Sequence, residues 1–548
     1  MTTSTYTCPD GTPFPVEWPE PRMEQRTWRW DQMHCPLPAT ALSQDLANIL
    51  REGFSRAFDM VGAPMGAARL YVHGYMFSRP EPFDDDPAVR TAIRERDTAR
   101  RIDRVLELWE SEYRPEVEAL NRSLQTWAPE AASLETLLDR FDQVEAIRRR
   151  QGELHMIVMG VANAAGNRFF DWCGAELGSE GESLSSELTQ GFPNRALDSA
   201  VGLWDLSRLA FGLPAVSAAL RSSPPGAFLA ALDAVVGGPE FRDALDGYLA
   251  EFGERSESFQ ELSDPTWRED PRLALLLIRR YLDAPEKSSP ASLHAASARR
   301  REERTSEGEA RFVADPEKLA TFRRFQKSAI QRTILLEDHN FYIDQRGLVG
   351  ARGPCLALGR ALVARGAMEA PDDVFHLHLT DIRKAACEPG IDLRALVSER
   401  KADRARWMRV LPPTYIGSPP AAFGKAPLDR FFGSFAEEPQ QPGIVKGTPG
   451  SPGLVRGIAR FIASLADIDR FGEGEILLTY ATAPPWTPLF AIAAGIVTDA
   501  GGVLSHCAVV AREYGIPAVV GCRTATARIE DGMLITVDGT AGVVRIEE

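Results

Sequence analysis

The chain has 548 residues, enough for three or four domains at about 150 residues each. With 44% hydrophobic and 25% charged residues, it is neither a disordered chain nor a collagen or disulfide scaffold. Basic residues number 62 and acidic ones 77, a net charge of −15 that argues against nucleic acid and an anionic membrane as partners.

At the N-terminus no basic stretch leads into an apolar run, and no run of about 18 apolar residues occurs further on. Neither a secretory signal nor a membrane span is expected. Seven scattered cysteines without a CxxC pair fit reduced thiols in a cytoplasmic protein and offer no zinc site. From about residue 40 to 430 the pattern is helical nearly throughout. In the stretch 101–120, Ile102, Val105, Leu106, Trp109, Tyr113 and Val117 draw one apolar stripe, and the segments 133–160 and 185–212 repeat the habit. The Ser- and charge-rich stretch 286–310 reads as a mobile loop, with a solvated helix as the alternative.

Further on, Arg332, Glu337, Asp338, His339, Tyr342 and Gln345 crowd one helix, and polar groups share a stripe with apolar neighbours. Such groups are costly to bury unless paired or used, so the choice is between a salt-bridge helix and a catalytic one. His376 and His378 form an HxH pair at a short turn or strand start, but no third ligand stands at metal-binding spacing, so no metal is expected on this chain. His73 and His155 sit among Tyr, Met and Phe residues that suit packing or the wall of an aromatic pocket.

Near residue 440 the texture changes to Gly- and Pro-rich sequence. Short β-branched runs follow at 457–462, 475–479, 495–498, 517–521, 533–537 and 542–546. Among them, a strand ends in the Gly501-Gly502 turn, and a helix opens at Ser505-His506 and closes at Gly515. The opening turn of a helix favours an anion and disfavours an imidazolium, so His506 is predicted to stay a neutral nucleophile. Ser505 caps the helix and offers its hydroxyl to a phosphoryl oxygen. An ordinary strand–turn–helix corner would hold such a histidine too.

The run Gly501-Gly502-x-x-Ser505-His506-x-Ala508-Val509-Val510-Ala511-Arg512-Glu513-x-Gly515-Ile516-Pro517-Ala518-Val519-Val520-Gly521 resembles the phosphohistidine motif of the phosphoenolpyruvate-utilising enzymes. Ser451-Pro452-Gly453 resembles the start of the same swivelling domain. The resemblance implies that His506 is phosphorylated; Gly501 and Gly502 let a ligand approach the backbone beside Ser505, and Arg332, Arg512 and Lys446 are candidate cations for the phosphoryl oxygens. It implies a multidomain α plus α/β chain: a mostly helical acceptor-binding domain over 1–439, a hinge over 440–456 and a swivelling domain over 457–548. Neither a Walker motif nor a GxGxxG after a strand is present. The chain therefore resembles split enzymes such as phenylphosphate and alkylphenol phosphate synthases, which implies MgATP on a separate ATP-grasp partner and transfer of the β-phosphoryl group.

Two helical-region segments also carry a resemblance, to rifamycin phosphotransferase-like proteins. Trp28-Arg-Trp-Asp31-Gln-Met-His34-Cys-Pro36-Leu-Pro38 resembles the start of their substrate domain; a Trp- and Pro-rich packing arm is the alternative. Glu337 matches the glutamate of an Arg-Glu pair followed by a Lys, but Leu336 and Asn340 replace its two cations. Glu337 can take that glutamate's catalytic role; His339, Asp338 or Glu337 would serve as the base, Arg332 is a candidate cation for the phosphoryl oxygens, and His34, Tyr342 and His155 are candidates to line the site of a small aromatic hydroxyl substrate. A phenol ionises far more readily than an alkyl alcohol, so an aryl phosphate is the expected product. Rifamycin-type or other alcohols, or a protein acceptor in a phosphocarrier, stand as alternatives.

Overall fold

The computed structural model describes residues 2–63, 65–84, 86–127, 132–258, 261–388, 390–419 and 441–547. The architecture is the expected one in class, a large helical region followed by a C-terminal α/β sheet. The described residues gather into two compact units. The first takes its residues from 2–161, 258–264 and 342–419, and the second from 162–257, 265–341 and 441–547. The helical region therefore contributes to both units. The residue 439/440 boundary expected from the sequence lies outside the described residues.

The first unit carries more strand than the mostly helical expectation allowed. Strands β1 (Thr2–Thr7) and β2 (Pro13–Trp18) make an antiparallel hairpin. Strands β3 (Thr27–Trp30), β4 (Met65–Val72), β5 (Tyr75–Pro82) and β6 (Tyr415–Gly417) form a sheet in the order β4-β5-β3-β6. Trp18, Trp28, Trp30, Phe77 and Trp407 pack into one aromatic core here, so the Trp-rich segment is a strand of a sheet. The larger helical core is built from the helices Ala41–Met60, Leu134–Leu177 and Arg346–Ala364. Its tightest crossing uses two glycines. A Cβ on Gly53 would lie 1.9 Å from the Arg149 carbonyl oxygen, and one on Gly152 would lie 2.1 Å from that of Leu50. Backbone meets backbone there, and only glycine fits.

In the second unit the C-terminal sheet runs β7-β14-β13-β9-β10-β11-β12-β8. Its strands are β7 (Ile444–Lys446), β8 (Thr448–Ser451), β9 (Leu454–Phe461), β10 (Ile476–Thr479), β11 (Gly495–Thr498), β12 (Ala518–Val520), β13 (Leu534–Asp538) and β14 (Val543–Ile546). Strands β9 to β12 are parallel, and every residue of β10, β11 and β12 is buried, as apolar runs covered on both faces require. The described part of the expected hinge, 441–456, is woven into this sheet: β7 pairs with β14 and β8 with β12.

The expected mobile loop at 286–310 is a short 3-10 turn followed by the helix Pro290–Ala310. Ser289 caps it by accepting the Ser292 N–H, and Pro290 opens it. Guanidiniums hold it in place where apolar residues ordinarily would: Arg301 donates to the carbonyls of Gln190 and Gly191, and Arg304 pairs with Glu187. The segment's polarity hid a packed helix.

Gly152→Ala should cost about 1–3 kcal/mol through overpacking at the helix crossing. A lowered urea midpoint with an unchanged far-ultraviolet spectrum would show it; an unchanged midpoint would contradict the crossing.

Candidate functional site

His506 is the first residue of the helix His506–Tyr514, and Ser505 is its cap, accepting the Ala508 N–H at 3.4 Å. Gly515 closes it with φ +68°, the left-handed conformation that glycine takes without strain. The turn before the helix needs Gly501, whose φ is +113° and whose added Cβ would stand 2.8 Å from the Ser505 hydroxyl. Gly502 lies buried in the same turn. The fold therefore fixes the backbone on which the imidazole stands.

Two side chains of the second unit take up the ring's nitrogens. Nδ1 lies 2.8 Å from Oε1 of Glu337, on the helix Pro316–His339, and Nε2 lies 3.3 Å from the Thr487 hydroxyl. A carboxylate only accepts, so Nδ1 carries the proton, and Nε2 keeps its lone pair. Glu337 is 3% exposed, whereas the histidine side chain keeps 11%, enough for one ring edge to be reached. The second glutamate oxygen, Oε2, is buried with no hydrogen-bond partner.

Arg332 enters the same region by a route that glycine opens. Its side chain passes Gly166, where a Cβ would lie 2.4 Å from the arginine Cδ. The guanidinium donates to Asn163 Oδ1 at 3.0 Å and to the Leu504 carbonyl at 3.1 Å, two residues before His506. Burial, with the positive charge of Arg512 acting in the same direction, lowers its pKa to about 10, while Glu337 opposes the shift. Arg332, Phe170, Thr189 and Leu504 border a cavity of about 20 Å³, room for roughly one water.

Other predicted residues fall elsewhere. Arg512 donates to the Gly450 carbonyl at 2.6 Å and so ties the helix to β8. Lys446 is exposed on the edge strand β7. His339 donates from Nδ1 to the Leu335 carbonyl of its own helix, and Asp338 is buried beside it. Tyr342, His155 and His34 belong to the first unit. There Tyr342 packs edge-on against Trp109, His155 pairs with Asp344 at 2.9 Å, and His34 pairs with Asp31 at 3.0 Å. His376 ends a 3-10 helix and His378 stands before the helix Leu379–Cys387, paired with Asp45.

Sequence reading missed Thr487 and Glu513. Thr487 sits in a Pro-rich corner, where no spacing marks it. Glu513 stands seven residues after His506 on the same helix, so periodicity could have pointed to it. Burial, and then the neighbouring Glu337 charge, raise the Glu513 carboxyl to about 8, and its Oε1 has no hydrogen-bond partner. Cys507, next to His506, is pushed by burial up to about 12, so it stays a thiol and does not compete as a nucleophile.

Comparison with known proteins fits this geometry. Residues 471–542 match the PEP-utilising enzyme mobile domain, and residues 152–335 match the rifampicin phosphotransferase fourth domain. His506 lies within the first match and Arg332 within the second, with Glu337 two residues beyond it. Chondramide synthase cmdD of Chondromyces crocatus is 34% identical over 98% of this chain, which covers 14% of that protein. Rifampicin phosphotransferase of Streptomyces sviceus is 29% identical over 85% of the chain, and the uncharacterized phosphotransferase YvkC of Bacillus subtilis is 29% identical over 67%. The chain spans about half the length of these two phosphotransferases, 51% and 44%. Among the described residues no helix is long and apolar enough to cross a membrane.

Because the folded carboxyl of Glu513 titrates near 8 against an ordinary value of 4.5, the folded state keeps a proton that the unfolded chain has lost between those values. Its stabilising contribution is complete below pH 4.5 and fades as pH rises towards 8. Across that window, urea unfolding of the wild type should weaken more steeply with pH than that of Glu513→Gln, by up to about 1.4 kcal/mol per pH unit. Parallel slopes for the two proteins would refute the assignment.

Proposed function

We propose that this chain is a phosphotransferase subunit in which His506 carries a phosphoryl group between two reactions. The observation that carries the reading is the hydrogen bond from Nδ1 to the buried Glu337 carboxylate. A carboxylate on one nitrogen raises the electron density of the other and holds the ring in a single tautomer. Nε2 is then the nucleophile at phosphorus. The positive end of the helix beneath it and the Ser505 hydroxyl favour the group's oxygens.

The donor substrate is MgATP on a separate ATP-grasp partner. Nε2 attacks the β-phosphorus, the P–N bond forms and the P–O bond to AMP breaks, leaving a pyrophosphoryl group on the ring; a water molecule then cleaves its terminal P–O bond, so that phosphate leaves and the β-phosphoryl group stays on Nε2. In the second reaction the acceptor oxygen attacks the same phosphorus, and the P–N bond breaks. The electron pair returns to Nε2, and the acceptor's proton passes to Glu337 Oε2, a buried oxygen with no other hydrogen-bond partner. Separating the two reactions keeps water from the intermediate. Phosphoryl transfer of this kind depends on position and charge more than on covalent chemistry.

The acceptor is the hydroxyl of a small aromatic molecule, such as a phenol, because its ionisation demands only a modest base. A second acceptor, rifampicin or another alcohol, is favoured by the match at 152–335 and by the relatives that bear that name. A protein acceptor would make the chain a phosphocarrier.

The test combines the full chain, an ATP-binding partner protein, ATP labelled at the β or γ position, and separate panels of phenols and of rifampicin. The β label should reach the protein and then a phenol. His506→Ala should abolish both, and a labelled His506→Ala protein would reject the site. Glu337→Gln should slow transfer to the acceptor about 10²–10⁴-fold. Label that stays on the protein, with no aryl or rifampicin phosphate formed, would favour the carrier.

A further inference from the structure

The Thr487 hydroxyl lies against the ring nitrogen at which phosphorus would be carried. Thr487 follows the 3-10 turn Pro484–Trp486 and opens the short helix Thr487–Phe490. Pro484, Pro485 and Pro488 restrict the backbone of this corner, and Thr487 is 3% exposed. The corner packs against two longer helices of the second unit, His506–Tyr514 and Arg195–Gly212. With the backbone so held, the hydroxyl moves by rotation about Cα–Cβ.

A threonine at the mouth of a helix ordinarily turns its oxygen to that helix's own N–H groups. Thr487 turns it to His506, 19 residues further along the chain, at 3.3 Å from Nε2. The direction of this bond follows from the other side of the ring. Glu337 takes the Nδ1 proton, so Nε2 has a lone pair and no hydrogen, and the hydroxyl donates. The bond exceeds the about 2.5–3.0 Å usual for a hydroxyl donor, and both its partners are neutral. It is a weak bond, easily given up.

Phosphorylation would change what this hydroxyl faces. The lone pair that it meets becomes a P–N bond, and the same edge of the ring gains anionic oxygens. Hydrogen bonds to a charged acceptor are shorter and about twice as strong as neutral ones. A donor that gives up a weak bond and makes a strong one during the step favours the loaded ring over the empty one. Such differential binding accelerates the step itself.

We propose that Thr487 is a catalytic donor that follows the phosphoryl group, bonding to Nε2 while the ring is empty and to a phosphoryl oxygen once Nε2 carries phosphorus. This role rests on the reading of His506 as the phosphoryl carrier, and on no particular donor or acceptor substrate.

Phosphoramidate tests it on the full chain without a partner protein: Nε2 attacks its phosphorus, one P–N bond forms as the other breaks, and ammonia leaves. Phosphorus NMR follows loading, and nitrogen NMR of histidine-labelled protein follows the ring. Thr487→Val keeps the shape of the side chain and removes the donor. In it the Nε2 resonance of empty His506 should move towards that of an unbonded imine nitrogen, with Nδ1 unmoved. Loading should slow about tenfold, the difference between a neutral and a charged acceptor. Thr487→Ser, which keeps the hydroxyl, should restore both to within about twofold. An unmoved Nε2 resonance would overturn the resting bond. Loading of Thr487→Val at the wild-type rate or faster, or of Thr487→Ser as slowly as Thr487→Val, would overturn the bond to the phosphoryl group. A wild type loaded neither by phosphoramidate nor by MgATP with its partner would reject His506 as carrier and this transfer of the hydroxyl with it; the Nε2 resonance decides the resting bond in either case.

Discussion

A buried carboxylate on one nitrogen of an imidazole decides what the other nitrogen can do. Glu337 takes the proton side of His506, and everything else near the ring serves that pairing. The helix Pro316–His339 must bring a charged residue into a dry place, and the cost is offset by the imidazole N–H and by Arg332 close by. Arg332 reaches the site only because Gly166 leaves a channel for its stem, and it ends on the backbone two residues before His506. One hydrogen bond therefore has support from three helices and a loop.

The α/β sheet contributes rigidity. Strands β10, β11 and β12 are buried throughout, and the turn after β11 delivers the chain to Gly501, Gly502 and the Ser505 cap. Arg512 at the far end of the same helix is tied to β8, so the helix cannot rotate without breaking a buried guanidinium contact. An imidazole on such a helix presents one edge and hides the other, which a histidine on a loose loop would not do.

Much of this was legible from residues. All six β-branched runs after residue 440 are strands, because Gly and Pro punctuate them, and in β10, β11 and β12 burial on both faces demands uninterrupted apolar sequence. The His506 helix and its two caps followed from Ser505 and Gly515. The helix Pro290–Ala310 did not, because arginine-to-carbonyl bonds hold it where an apolar stripe is the usual sign. Strands β4 and β5 were read as part of a helical region, since their alternation is short and interrupted by Gly74. Pairings across long stretches of chain, Glu337 with His506 and Thr487 with the same ring, leave no local trace. The division into two units cuts across the sequence order and was equally invisible.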